Sequence, residues 1–159
     1  MKRDPRLAAL SREHTQALML AQRIRRELPA ADDDAAGALY ASVVTFWSAG
    51  LLPHFTAEGE CLLARLIRHV PIEDERVRQL QRDHLAIEAA IAVMRDATTM
   101  PERRTAMFDL AERMQAHVRW EENELFPATE SLLTQRELDA LGEDLAARLP
   151  EHPVPFGQR

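Results

Sequence analysis

The feature that most narrows what this chain can fold into is a repeated placement of histidine. His14, His54, His84 and His117 each sit on the apolar stripe of a separate helical segment. Stripes stepped by three and four residues bury one face of a helix. The first segment, about residues 5–28, carries Leu7, Leu10, His14, Ala17, Leu18, Ala21 and Ile24. The second, about 35–69, carries Tyr40, Trp47, His54, Glu58, Cys61 and Leu62. The third, about 73–97, carries Val77, Leu80, His84, Ile87 and Ile91, and the fourth, about 101–126, carries Met107, Leu110, Met114, His117 and Glu121. Pro29 with the Asp32–Asp34 run, then Pro71, then "TTMP" at 98–101 supply the breaks, and the aspartates suit a helix cap. Pro53 lies inside the second segment and is expected to bend it or to break one backbone hydrogen bond. "TQRE" at 134–137 reads as a capping box opening a short helix to Leu149.

Short connections between long amphipathic helices predict an all-α, up-down-up-down four-helix bundle with a short C-terminal fifth helix. One domain over residues 1–150 is expected, followed by a loose proline-bearing tail at 151–159. The net charge of −6 and the absence of a basic run argue against nucleic acid as a partner. The single cysteine, Cys61, excludes an internal disulfide and fits a reducing compartment. The N-terminal stretch has no apolar run of signal-peptide length, and no apolar stretch is read as approaching the ~20 residues that span a bilayer. A cytoplasmic protein with no membrane partner is expected; its oligomeric state is not legible.

Neighbouring helices of such a bundle run antiparallel, so residues equally far from the shared turn lie at one level. For the pairs His14/His54, His54/His84 and His84/His117 the mismatch is five residues or fewer, roughly 7 Å at ~1.5 Å per residue. Four imidazoles can therefore share one layer of the core. Glu58 and Glu121 follow His54 and His117 by four residues, about 40° round the helix, and so face the same layer. Glu122 is one step further, about 140° from His117, and is expected to face away.

A buried carboxylate without a partner is costly. Six inward polar groups in one layer are explained by metal: imidazole suits iron, zinc or copper, and carboxylates can bridge two ions. His14, His54, Glu58, His84, His117 and Glu121 are the candidate ligands. A single His-x3-Glu would mean little. His69 and Glu73 show the same spacing across Pro71, where no single helix can hold them. Cys61 is expected to be a buried apolar thiol, and Tyr40, Trp47, Met107 and Met114 to be packing. Glu124 is read as a solvated acid or an inward one, and His69 and His152 are given no chemistry. The acids at 32–34 lack the spacing of a calcium loop.

The stretches "REHTQAL" around His14, "PHFTAEGECLL" around His54 and Glu58, "RDHLAI" around His84, and "HVRWEENELFP" around His117 and Glu121 together resemble the hemerythrin-like, or HHE cation-binding, family. The resemblance spans about residues 7–127. It implies a non-haem centre of two iron ions, with His14, His54, His84 and His117 as terminal ligands and Glu58 and Glu121 as bridges. It also implies that Phe126 and Pro127 end the fourth helix. Oxygen carriers of the family have a fifth histidine one turn after the third; here that place is Glu88, so the pattern is closer to the bacterial and regulatory domains. Thr15 and Gly59 also depart from common family residues. Relatives that handle nitric oxide or repair iron–sulfur clusters typically carry a cysteine-bearing N-terminal segment, and with the chain read as beginning at the bundle that version of the function is not expected.

The expected function is a diiron protein that binds or senses a small diatomic ligand or oxidant (oxygen, nitric oxide or peroxide) or iron status. The alternative is a diiron redox enzyme of peroxidase or oxidase type. Glu88 is expected either to add a carboxylate ligand or, as the Gln81–Glu88 polar edge favours, to lie on the flank of its helix.

Overall fold

A computed structural model describes residues 4–149; the expected tail at 151–159, with His152, lies outside the described residues. Four long helices form the bundle: α1, Ala8–Glu27; α2, Asp33–Leu66; α3, Glu75–Asp96; and α4, residues 100–132. A fifth helix, α5, Gln135–Arg148, follows after a short break. No strand occurs among the described residues. α4 packs along both α1 and α3.

The helix starts follow from local chemistry. Asp32 caps α2, accepting from the Ala35 amide at 2.8 Å, and Asp74 caps α3 through the Arg76 amide at 3.0 Å. Thr99 with Glu102, and Thr134 with Glu137, form reciprocal capping boxes at the starts of α4 and α5. Each satisfies amides that the first helical turn leaves without partners.

Of the two internal prolines, Pro53 lies within a continuous helix as expected, and Pro127 differs from the expectation. Pro53 leaves α2 helical, and Pro127 does not end α4, which runs on to Leu132. Each proline lies just after a π-helical stretch, Trp47–Leu51 before Pro53 and Glu121–Leu125 before Pro127. There the Leu52 amide donates to the Trp47 carbonyl and the Phe126 amide to the Glu121 carbonyl, five residues back. The wider turn resets the helix, so each proline falls in the opening turn of the resumed α-helix, where its missing N–H costs little.

The core is divided in two. One apolar cluster is built from Ala17 to Ile24 of α1 with Leu28 just after it, Ala36 to Phe55 of α2, Ile87 to Met94 of α3 and Ala106 to Val118 of α4. The other joins Leu7 and Leu10, Ala57 to Leu66, Val77 and Leu80, and Leu125 and Phe126 to Leu138, Leu141 and Leu145 of α5. On every long helix the candidate ligands fall between the two clusters. α5 closes the second cluster, tied down by Arg6 to Asp139 at 2.8 Å, by His69 to Glu137 at 2.9 Å, and by a pair between Arg148 and Glu60.

The expectation of no long apolar run needs correcting. Residues 35–57 contain no Asp, Glu, Lys or Arg, and α2 is long and apolar enough by length and composition to cross a membrane. Its Leu39, Val43, Phe46, Trp47, Leu51 and Phe55 side chains are buried in the bundle, which is what makes a core helix so apolar.

Candidate metal centre

The layer between the two clusters holds all six predicted residues. His14, His54 and His117 are each 3% exposed or less, Glu58 and Glu121 are fully buried, and His84 is partly buried. Their facing atoms fall into two groups of four. His14, His54, Glu58 and Glu121 form one, and Glu58, His84, His117 and Glu121 form the other; within each, the ligand atoms all lie within 4.8 Å of one another. The two carboxylates belong to both groups. Glu58 offers Oε1 to His54 Nε2 at 3.3 Å and Oε2 to His84 Nε2 at 3.1 Å. Glu121 Oε2 is 2.9 Å from His14 Nε2 and 3.4 Å from His117 Nε2.

Local folding produces this spacing. His54 to Glu58 and His117 to Glu121 each span one α-turn, with the glutamate amide bonded to the histidine carbonyl. Each glutamate then opens a π-helical stretch, Glu58–Leu63 and Glu121–Leu125. Such widened turns concentrate at functional positions of helices. Aromatic rings fix the imidazole planes: Phe55 stacks on His84 at 3.8 Å between centroids, and Phe126 on His14 at 5.3 Å.

The electrostatics are unfavourable without a cation. Both oxygens of Glu58 and of Glu121, and Nε2 of His84 and of His117, are buried without a hydrogen-bond partner. The Nε2 atoms of His14 and His54 face each other at 3.2 Å. Burial pushes the Glu58 carboxyl up, but the His54 and His84 imidazoles outweigh it and hold Glu58 well below the usual range. Burial, and then the Glu58 charge, push Glu121 well above it. Burial pulls the His117 imidazole down. Two carboxylates and four imidazole nitrogens converging on two points are what a pair of oxygen- and nitrogen-liganded cations neutralises. The residues present fit such a centre.

The structure adds residues that the sequence reading missed or misplaced. Glu122 does not face away. Its Oε1 meets His14 Nδ1 at 2.7 Å and accepts from the Ser11 hydroxyl at 2.7 Å. The π-helical stretch beginning at Glu121 turns less per residue than an α-helix, so Glu122 stays on the α1 side. Asp83 Oδ2 lies 3.4 Å from His117 Nδ1, an ion-pair contact without hydrogen-bond geometry, and its carboxylate accepts from Gln79 at 3.0 Å. His117 and Gln79 overcome the effect of burial and hold the Asp83 carboxyl low. Carboxylates on the far nitrogen of an imidazole fix its tautomer and orientation at a metal. The signal for Asp83 was present as an acid directly before His84, and Glu13 precedes His14 in the same way.

Glu13 is 6% exposed and its Oε1 has no partner; burial raises its carboxyl. Glu88 and Glu124 are exposed and take no part in the layer. Cys61 is a free thiol buried in the second apolar cluster. A small cavity beside the layer is lined by Glu13, His14, Phe46, Gly50, His54 and His117, among others. A Cβ at Gly50 would stand 2.7 Å from the Phe46 ring, so a larger residue there would have to displace that ring.

Searches of curated proteins and of solved structures return no match. The family model described as the hemerythrin HHE cation binding domain matches residues 6–129, which takes in all six residues of the layer.

Proposed function

The chain belongs to the hemerythrin HHE cation-binding domain family, and from that premise we propose that it is a non-haem diiron protein that binds or senses a small ligand or oxidant. The observation that carries the reading is the pair of overlapping four-residue groups sharing Glu58 and Glu121. In this reading His14 and His54 would hold one iron and His84 and His117 the other, with Glu58 and Glu121 available to both. Two iron ions there supply open coordination positions and one-electron redox chemistry. Six protein donors divided between two ions leave room for a small molecule, with oxygen, nitric oxide and peroxide as candidates. Glu122 orients His14 through Nδ1, and Asp83 faces Nδ1 of His117 at 3.4 Å. The two apolar clusters keep bulk water from the layer on both sides. A cytoplasmic setting belongs to the same proposal.

Glu88 is exposed, so the proposal gives it no ligand role. The test is spectroscopic titration of the iron-loaded protein with nitric oxide, oxygen and hydrogen peroxide, with peroxide turnover measured alongside. Saturable binding of one of them without turnover supports the sensing reading. Sustained turnover replaces it with the redox-enzyme reading. Neither binding nor turnover contradicts both.

A further inference from the structure

The six residues of the layer are not equally enclosed. The side chains of His14, His54 and His117 are 4% exposed or less and those of Glu58 and Glu121 are fully buried, whereas that of His84 is 14% exposed. His84 Nε2 is buried in the layer, 3.1 Å from Glu58 Oε2. Its Nδ1 is not buried and meets no protein hydrogen-bond partner among the described residues. One ring therefore joins the layer to solvent.

The other three imidazoles have no such freedom. His14 is bonded at Nδ1 to Glu122 at 2.7 Å, Glu122 accepts from the Ser11 hydroxyl at 2.7 Å, and Phe126 stacks on the ring. His54 and His117 lack a hydrogen bond at Nδ1, but both nitrogens are buried, so neither ring can leave without displacing packed neighbours. Phe55 lies flat on His84, with 3.8 Å between centroids and 11° between planes. That contact resists tilting and leaves the ring free to slide in its own plane.

A cation leaves a closed site by exchanging its protein donors for water one at a time. The first donor to go is the one that solvent reaches and that nothing behind it holds, because local opening starts where burial and bonding are least. Among the six that donor is His84, and it belongs to only one of the two four-residue groups. We propose that the metal position of Glu58, His84, His117 and Glu121 is the exchangeable one, filled last and emptied first past His84, and that the position of His14, His54, Glu58 and Glu121 is resident. The exchange moves no electrons: a hydrated ferrous ion gives up water for His84 Nε2 on entry and takes it back on exit. The inference rests on the diiron reading and narrows it to iron status, since occupancy of one position follows free iron while the other stays filled.

The test loads the protein anaerobically with ferrous iron, mixes it with excess ferrous chelator, and takes crystals at half release. Release in two phases of one ion each is expected, the first faster by roughly 10-fold or more, the scale on which outer hydrogen-bond partners act. Anomalous density in the half-depleted crystals should remain beside His14 and His54, and His84→Ala should hold one ion that leaves at the slow rate. A single phase for both ions, or residual density beside His84 and His117, overturns the proposal and leaves the diiron reading standing. In metal-free protein, diethyl pyrocarbonate should modify His84 well before His14, His54 or His117, as read by peptide mass; equal rates overturn the route. No iron bound at all removes the diiron reading and the exchange together.

Discussion

Glu121 and Glu122 are neighbours in the chain with different partners. Glu121 is fully buried between His14 and His117, whereas Glu122 is partly exposed and meets His14 at the far nitrogen, alongside the Ser11 hydroxyl. Glu121→Ala is expected to abolish metal binding. Glu122→Ala is expected to keep the site but weaken it roughly 10- to 100-fold, as is Asp83→Asn. Isothermal titration with ferrous iron separates these outcomes, and equal loss in Glu121→Ala and Glu122→Ala would contradict the division of roles. Glu88→His should leave iron content and absorption spectrum unchanged, because residue 88 is exposed on the α3 flank; a new oxygenated band would show that it reaches the iron. The six inward residues were legible because side-chain direction in a regular helix follows from spacing alone. Glu122 was not, since its direction depends on a widened turn, and Asp83 was not, since its partner lies on another helix.

At the level of elements, the boundaries readable in advance were those written as side-chain chemistry. The Thr134–Glu137 capping box and the Asp32 cap are local and appear where expected. Pro127 was misleading, because a proline stops a helix only if the turn before it stays regular. Thr134→Ala removes the cap of α5 and should cost about 1 kcal/mol, read as earlier urea release of α5 contacts from Arg6 and His69. The Thr134 amide and the His69 imidazole hold Glu137 down to about 2. A depressed acid contributes stability that is present above its ordinary value of 4.5 and is lost as pH falls toward about 2. Carboxyl NMR titration should place Glu137 near 2, and loosening of α5 should occupy that window. A midpoint near 4.5 would mean that the capping box and the His69 contact are absent in solution.

The whole molecule is a bundle whose two apolar halves are joined through a polar layer that is costly on its own. Metal therefore belongs to the stability of the fold as well as to its chemistry. Saturating iron at about 1,000 times its dissociation constant adds about 4 kcal/mol, or a rise in melting temperature of roughly 10 °C for a domain of this size. Scanning calorimetry with and without iron checks this, and equal melting temperatures would contradict it. The bundle class was legible because apolar periodicity dictates it, while the division of the core into two clusters depends on how four helices meet. The measurement that bears most directly on the account is the metal content of protein purified from iron-supplemented cells. Elemental analysis should find two metal ions per chain, chiefly iron. A single tetrahedral zinc, or no metal above trace, would contradict it.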